Sequence, residues 1–312
     1  MDILPTIGSL LVLIFLLVKS ADLIESSFVG ISRRLGVNTF LIGFVILAMT
    51  SSLPETFVAI NAASSGYSGL SVGNIVGATI ILLTLVIGIS AIKNKSLPFK
   101  GMYSTKEVLF SLAIIYAQIL VLIDGRMDWM EGIFLLALYS GFVVYIIAKS
   151  KVWEITNNHS NRKLSTLLIK SILGIAGLIL SANLTVSTAL GLAEALNTPP
   201  LIIGLLVLGI GTNLPEIVIM LRSKNGDMGK LAAGNFIGSA TFNSAVLGLL
   251  ILIRPTTLVN FTSLIPALIL LSITIFMFSL MVINDRTITR KEGYILLFIY
   301  AVYITSELIL NF

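Results

Sequence analysis

Residues 49–58 read MTSSLPETFV and interrupt a long apolar stretch. The interruption contains serines, a proline and a glutamate, which are all costly to place in hydrocarbon. Residues 210–219 repeat the same interruption as IGTNLPEIVI. A polar break that occurs twice in one apolar chain predicts two broken helices in the interior of a membrane protein.

The composition supports a membrane protein with many spans. The chain has 312 residues, of which 56% are hydrophobic and 11% are charged, whereas a soluble domain carries roughly a quarter charged residues. The first apolar run is followed at once by others, so we interpret it as a retained span and not as a signal peptide. The absence of cysteine excludes disulfides, thiolate metal sites and cysteine nucleophiles.

A helix that crosses ~30 Å of hydrocarbon needs ~20 residues. Charged residues, loop breaks and clusters of Gly, Pro and Asn divide the chain into ten such segments. We therefore predict an all-α polytopic membrane protein with ten transmembrane helices. The predicted spans are 3–32, 38–66, 71–92, 103–123, 129–149, 164–193, 199–223, 230–253, 258–283 and 290–311.

The basic residues of the predicted loops are unevenly distributed between the two sides. One side carries Arg33, Arg34, Lys93, Lys95, Lys100, Lys106, Lys149, Lys151, Arg162, Lys163, Arg222, Lys224, Lys230, Arg286, Arg290 and Lys291, and the other carries Arg126 and Arg254. Cytoplasmic loops collect the positive residues, so we predict a multi-pass protein of the cell (plasma) membrane with both termini extracellular. Topology then explains the net charge of +5, and no nucleic-acid partner is expected.

The chain aligns with itself when it is shifted by 161 positions without a gap. The shift places residues 20–23 (SADL) on 181–184 (SANL), 53–55 (LPE) on 214–216, and 73–74 (GN) on 234–235. Each half holds five predicted spans, an odd number, so the halves insert with opposite orientations. This predicts two inverted five-helix repeats with broken helices at the core, as in secondary transporters. The predicted boundaries are 1–149 for the first repeat, 150–163 for a cytoplasmic linker and 164–312 for the second repeat.

The two breaks bring together the oxygen atoms that a hard cation prefers. Each proline displaces the carbonyl four residues earlier, and a glutamate follows it directly. The side chains at the breaks are Ser51, Ser52 and Glu55 in the first half and Thr212, Asn213 and Glu216 in the second. Flexible sets of ~6–8 oxygens suit Ca²⁺ better than Mg²⁺. Two copies at one offset disfavour the alternative, a pair of proline kinks with snorkelling acids.

The helices that follow the breaks contain the second repeated motif. They begin SVGNIVGAT and AAGNFIGSATFNS, in which the paired glycines have the spacing that permits close helix packing. Ser239 and Asn243 lie one turn apart on one face of the second of these helices. We predict that they line the same cavity as the two glutamates.

These motifs resemble those of the sodium/calcium exchangers of the cation/calcium antiporter superfamily, especially the small prokaryotic forms. The two repeats of that family read G-T-S-L-P-E followed by G-N-x-x-G-S, and here they read TSSLPE with GNIVGA and GTNLPE with GNFIGS. The resemblance extends over the whole chain. It implies that Glu55 and Glu216 are paired calcium ligands, that Ser51 and Thr212 belong to the calcium site, and that Ser52, Ser239 and the carbonyls of Ala48 and Gly209 match sodium-site positions.

Five positions depart from the family pattern. The family glycine, serine and asparagine of the first half are Thr50, Ala78 and Leu82 here; in the second half Asn213 replaces serine and Asn243 stands where aspartate is typical. The central site therefore has fewer oxygen ligands than is usual, and the driving ion is open between sodium and protons. The proton/calcium branch usually shows G-N-x-x-E in place of S-L-P-E. This chain lacks that motif, so sodium is favoured over protons as the driving ion.

The sequence predicts a secondary cation antiporter that exports calcium by alternating access, driven by sodium. A proton/calcium exchanger and a passive cation channel are the alternatives. An enzyme is not expected, because no nucleophile–base pair or His/Asp metal cluster occurs at membrane depth. The expected partners are Ca²⁺ and Na⁺ (or H⁺) as substrates and the lipid bilayer, with no cofactor, and the protein is expected to act as a monomer.

Overall fold

The computed structural model describes residues 3–34, 45–98, 104–149, 164–222, 227–258, 261–285 and 287–311. The helices of the first half are α1 Ile3–Arg34, α2 Leu47–Ser51, α3 Leu53–Ser64, α4 Ser68–Lys93, α5 Thr105–Leu122 and α6 Trp129–Lys149. Those of the second half are α7 Leu164–Ala195, α8 Pro200–Thr212, α9 Leu214–Arg222, α10 Asp227–Ile253, α11 Ile265–Asp285 and α12 Arg290–Asn311. The predicted linker at 150–163 lies outside the described residues.

Eight of the described helices are long and apolar enough to cross a bilayer. They are Ile3–Ile31, Ser68–Lys93, Thr105–Leu122, Trp129–Lys149, Leu164–Ala195, Ala232–Ile253, Phe261–Asn284 and Arg290–Leu310. The predicted spans 38–66 and 199–223 differ, because each is divided into two shorter helices. Their divisions fall at Ser52 and Asn213, directly before the Leu-Pro-Glu motifs, where proline cannot continue the preceding helix.

Short strands make the protein nearly, but not entirely, helical. They are β1 Ser96–Pro98, β2 Arg126–Met127, β3 Thr256–Thr257 and β4 Thr287–Thr289, and they pair antiparallel as β1 with β4 and β2 with β3. The prediction of an all-α protein missed them. Each strand has only two or three residues, so its pairing depends on which loops meet at one end of the bundle and not on a local sequence pattern.

Burial separates a central pair of helices from an outer layer. Within their most apolar windows, 83% of α4 residues and 78% of α10 residues are buried, against 33% in α1, 22% in α6 and 28% in α7 and α12. The outer helices therefore present one apolar face to lipid, whereas α4 and α10 are enclosed by protein. Both helices of the G-N-x-x-G motif thus form the centre of the fold.

Glycines allow α4 and α8 to cross at close range. A Cβ atom at Gly73 would clash with the carbonyl oxygen of Leu201, and one at Gly77 with that of Leu205. The same stretch of α8 is wound as a π-helix at Gly204–Leu208, and Tyr303 of α12 donates a hydrogen bond to the Leu205 carbonyl at 3.3 Å. Close backbone packing is the reason for these glycines.

We expect Gly77→Ala to destabilise the protein. The new methyl group would force apart two backbones inside a packed core, and such overpacking typically costs about 1–3 kcal/mol. The apparent melting temperature in detergent, followed by size-exclusion chromatography after heating, should fall by several degrees.

Gly141→Ala is the matched control, since a Cβ at Gly141 in α6 would meet nothing within 4 Å. This variant should melt at or slightly above the wild-type temperature, because alanine favours a helix over glycine by about 1 kcal/mol. Equal melting temperatures for both variants and the wild type would contradict the close crossing of α4 and α8.

Candidate cation site

The two breaks are built in the same way. Ser52 and Asn213 leave the helical conformation with φ/ψ of −86°/12° and −84°/10°. The proline that follows lies in the first turn of the next helix, where its missing N–H would have no intrahelical partner in any case. The glutamate after it, Glu55 or Glu216, also lies in this first turn. Negative charge is favourable there because the free N–H groups give the helix start a positive potential.

The structure places all ten predicted site residues in the interior. The side chains are 0% exposed at Ser51, Ser52, Glu55, Thr212, Asn213, Glu216, Ser239 and Asn243, Ala48 is 1% exposed and Gly209 is buried. The glutamates therefore do not reach lipid headgroups or bulk water, as snorkelling acids would. Burial of this kind requires that the oxygen atoms find partners inside the protein.

A hydrogen-bonded chain joins the first break to the second glutamate. The hydroxyl oxygens of Ser51 and Ser239 are 3.1 Å apart, and Ser239 Oγ is 3.4 Å from Glu216 Oε1. Ser239 Oγ is also 3.3 Å from the carbonyl oxygen of Ala48, which it can use as an acceptor instead. Residues from three separated segments of the chain thus meet at one point.

A second chain of contacts joins the second break to the first glutamate. Thr212 Oγ1 donates to Asn74 Oδ1 at 3.3 Å, and Asn74 Nδ2 donates to the backbone carbonyl of Glu55 at 3.1 Å. The two breaks therefore form one cluster and not two separate sites.

Several buried oxygen atoms of this cluster have no hydrogen-bond partner among the described residues. They are Ser52 Oγ, Glu55 Oε1 and Oε2, Asn213 Oδ1, Glu216 Oε2 and Asn243 Oδ1. A buried acceptor left unsatisfied costs about 1–3 kcal/mol, and a charged one more. A cation that takes these oxygens as ligands would remove this cost, and the donor set, which contains oxygen alone, suits a hard cation.

The donor set contains few charged groups. In the described part of the chain, no group of three or more His, Cys, Asp or Glu side chains could hold a metal ion. The cluster supplies two carboxylates and otherwise neutral oxygens. Such a set balances the charge of a divalent cation without excess, which suits an ion that must also be released.

The departures from the family pattern are all in the interior. Ala78 and Leu82 are 0% exposed and have no side-chain oxygen. The shift of 161 positions aligns them with Ser239 and Asn243. Thr50 donates its hydroxyl to the carbonyl of Ile46 at 2.8 Å, inside its own helix. The face of α4 at Ala78 and Leu82 is therefore apolar, while α10 is polar at the equivalent positions.

Sequence reasoning missed three polar residues that contact the predicted site. Asn74 contacts Thr212, Asn235 Oδ1 accepts from Ser51 Oγ at 3.3 Å, and Thr79 Oγ1 accepts from Asn243 Nδ2 at 3.2 Å. The repeated G-N-x-x-G motif was the available signal for the two asparagines. Its glycine spacing alone predicts helix packing and does not indicate these contacts.

A cavity of ≈ 340 Å³ reaches the second break from one side. It lies between α1 and α9 and is lined by Val18, Lys19, Asp22, Glu25, Ser26, Pro215 and Val218. Lys19 and Asp22 form an exposed ion pair at 3.0 Å within it. The cavity thus reaches Pro215, the residue before Glu216, whereas Glu216 itself is 0% exposed.

Comparison with known proteins gives consistent matches over nearly the whole chain. The model of a family described as sodium/calcium exchanger protein matches residues 5–148 and 166–308. An uncharacterized membrane protein of Methanocaldococcus jannaschii is 29% identical over 307 residues, which cover 96% of this chain and 97% of that protein. The sodium/calcium exchanger MaX1 of Methanosarcina acetivorans is 25% identical over 350 residues, which cover 95% of this chain and 96% of that protein. A structure of the sodium-calcium exchanger NCX_Mj soaked with Na⁺ and Sr²⁺ matches with a TM-score of 0.69 at 26% identity, covering 98% of this chain and 99% of that one.

We expect Ca²⁺ to raise the melting temperature of the purified protein and expect Glu55→Gln and Glu216→Gln to abolish this effect. A ligand that binds only the folded state stabilises it by about 2.7 kcal/mol at a hundred times its Kd. Each substitution removes a negative charge from the oxygen cluster. The measurement is a thermal shift titration with CaCl₂ in detergent.

Glu194→Gln is the control for this titration, because Glu194 is an exposed glutamate near the end of α7. It should keep the full calcium-induced shift. A shift of wild-type size in both central variants would show that calcium binds elsewhere.

Proposed function

Because this chain belongs to the sodium/calcium exchanger protein family, we propose that it exchanges sodium for calcium across a cell membrane and exports calcium. The matches to known exchangers confirm the resemblance that the two motifs predicted. The observation that carries the proposal is the set of unpartnered, fully buried oxygens at the paired helix breaks. We propose the ten predicted site residues as the ligands and lining of the ion pathway.

We further propose ten transmembrane segments in two inverted repeats, 1–149 and 164–312, with the linker 150–163 between them. The contacts of the structure support this, because they recur when the two halves are exchanged. Ser51 and Asn235 become Thr212 and Asn74 under the shift of 161 positions, and both pairs are 3.3 Å apart. Two broken helices, α2–α3 and α8–α9, would add to the eight long spans.

Helix packing and strand pairing repeat in the same way. Gly88 packs against the Gly293 carbonyl, and Gly132 packs against the Gly248 carbonyl. The shift places Gly132 on Gly293 and Gly88 within one residue of Gly248. It also places β1 on residues 257–259, which overlap β3 at Thr257, and β2 on the first two residues of β4, so the pairs β1–β4 and β2–β3 exchange with each other. A twofold relation between opposed halves accounts for these coincidences.

We propose that the end of the bundle with the basic residues is cytoplasmic, which leaves both termini outside. Contacts gather several of these residues at one end. Lys93 donates to the carbonyl of Leu221 at the end of α9, and β1 pairs with β4 just before Arg290. Lys149 pairs with Glu107 at 2.6 Å near the start of α5. The positive-inside rule then fixes the orientation.

The exchange follows from a shared site. Glu55 and Glu216 hold calcium, and sodium that takes the same oxygens releases it, so the gradient of one ion drives the other. We propose α1 and α7, which have no proline break in their interior, as the pair that slides beside the fixed core. Gly174 and Gly177 of α7 lie against Ser20 and Ile24 of α1, and such small residues let the two helices approach closely.

Calcium-45 uptake into proteoliposomes tests the function. An outward sodium gradient should drive calcium into the vesicles, and Glu55→Gln or Glu216→Gln should reduce the initial rate at least about tenfold, because the loss of a charge-assisted ligand costs about 1.5–3 kcal/mol. Glu194→Gln should leave the rate unchanged.

The same vesicles separate the alternatives. Uptake driven by a pH gradient without sodium would select a proton/calcium exchanger, in which the two glutamates carry protons. Calcium flux with no counter-ion, accompanied by a steady current, would select a passive channel. Wild-type uptake rates in both glutamine variants would refute the site.

We expect the double variant Ala78→Ser with Leu82→Asn to strengthen the dependence on sodium. The two substitutions place oxygen atoms on the apolar face of α4, at the positions that the repeat aligns with Ser239 and Asn243. The measurement is sodium inhibition of calcium-45 uptake, in which the half-inhibiting sodium concentration should fall about tenfold for a gain of about 1.4 kcal/mol. Ala91→Ser, at a buried position near the other end of α4, is the control. An unchanged sodium concentration would contradict our account of the departures.

A further inference from the structure

Each half of the chain contributes one buried asparagine to the other half. Asn74 lies on α4 and Asn235 on α10, and both are 0% exposed. Asn74 Oδ1 accepts from Thr212 of the second half, and Asn235 Oδ1 accepts from Ser51 of the first half. Burying a polar amide at membrane depth costs free energy, and residues of this kind are usually retained for a function. Here both amide oxygens contact hydroxyl groups that the proposed site uses as ligands.

The orientation of the Asn74 amide is fixed by its surroundings. Its Nδ2 lies 3.1 Å from the Glu55 carbonyl oxygen, which can only accept, so the nitrogen must face this carbonyl. The oxygen of the same amide must then face Thr212 and can only accept from it. Asn74 therefore acts on both glutamate motifs: it contacts the backbone of the first and the hydroxyl that precedes the second.

A hydroxyl group that binds a cation must direct a lone pair towards the ion and donate its hydrogen elsewhere. Thr212 has two acceptors available, Asn74 Oδ1 at 3.3 Å and the carbonyl of Leu208 in its own helix at 2.9 Å. Ser51 has Asn235 Oδ1 and the Ala48 carbonyl, both at 3.3 Å, and also the hydroxyl of Ser239 at 3.1 Å, which can either donate or accept. The asparagines thus offer the hydrogen a place outside the hydroxyl's own helix.

We propose that Asn74 and Asn235 are positioning residues that accept the hydroxyl hydrogens of Thr212 and Ser51 and so turn the lone pairs of these hydroxyls towards the transported cation. This inference rests on the proposed function, since it assumes that the two hydroxyls are ligands. It assigns the asparagines a role without direct contact to the ion. It also explains why an asparagine follows the first glycine in each G-N-x-x-G motif.

The two asparagines are not equivalent. Asn74 uses both ends of its amide, whereas Nδ2 of Asn235 has no hydrogen-bond partner among the described residues. The repeat relates Glu55 to Glu216, so the contact equivalent to that of Asn74 would join Asn235 Nδ2 to the backbone carbonyl of Glu216. Asn235 does not make this contact. Loss of Asn74 should therefore weaken calcium binding more than loss of Asn235.

The test measures the apparent KM for calcium of Asn74→Ala and Asn235→Ala in sodium-driven calcium-45 uptake. The KM should rise about two- to twelvefold, since one hydrogen bond is worth about 0.5–1.5 kcal/mol, with the larger rise for Asn74→Ala. Asn235→Asp keeps an acceptor of the same size and loses no hydrogen bond, because Nδ2 of Asn235 has no partner among the described residues, and it should show a smaller rise than Asn235→Ala. An aspartate variant as weak as its alanine counterpart would overturn the proposal.

A double-mutant cycle shows whether each asparagine acts through its hydroxyl. Asn235→Ala should add little to the KM of Ser51→Ala, and Asn74→Ala should add less to Thr212→Ala than it does to the wild type. Effects that multiply independently would overturn the proposal, because they would mean that the asparagines and the hydroxyls act separately.

Ser71→Ala is the matched control. Ser71 lies on α4 near Asn74 and donates to the Ala59 carbonyl of α3 at 2.7 Å, so it makes the same kind of contact between the same helices without touching the site. The KM of Ser71→Ala should stay at the wild-type value. A rise equal to that of Asn74→Ala would mean that Asn74 contributes only to the packing of the helices. A wild type without calcium exchange would refute the proposed function itself, whereas a working wild type with unchanged KM in the asparagine variants would refute this inference alone.

Discussion

The structure depends on one constraint: a helix that is broken inside a membrane exposes polar backbone, which lipid cannot satisfy. Proline imposes two such breaks, at Ser52 and Asn213. Both must therefore be enclosed by protein, and the nearly complete burial of α4 and α10 provides that enclosure. The crossing of α4 with α8 requires the glycines at 73 and 77, because any side chain there would separate the helices that cover the breaks.

The protein that encloses the two breaks also buries the polar side chains next to them. Glu55 and Glu216 are thereby placed at 0% exposure, where two like charges would repel strongly without a cation between them. The neutral oxygens around them are distributed unequally: α10 supplies Ser239 and Asn243, while α4 is apolar at Ala78 and Leu82. Under the proposed function, this asymmetry bears on the balance between sodium and proton coupling, because each missing side-chain oxygen removes a possible ligand for a monovalent ion.

The breaks and their acids could be predicted from the sequence because their causes are local. Proline acts on the residues of its own turn, and a glutamate in an apolar run signals function wherever it lies. The contacts of Asn74 and Asn235 could not be predicted in this way, since they depend on which helices cross and at what height. The same holds for the strand pairs and for the π-helical turns at Leu82–Val86 and Gly204–Leu208, which have no local sequence signature.

The symmetry of the contacts bears on how an ion is released. The unpartnered oxygens are shared evenly, with Ser52 and both atoms of Glu55 in the first half and Asn213, Glu216 and Asn243 in the second. An ion held by both halves loses part of its ligand set whenever one half moves relative to the other. In the proposed arrangement of two inverted repeats, the same movement made by either half opens the site to opposite sides of the membrane. In this proposal, the even sharing of the unpartnered oxygens couples release on each side to one kind of motion, even though the residues themselves differ.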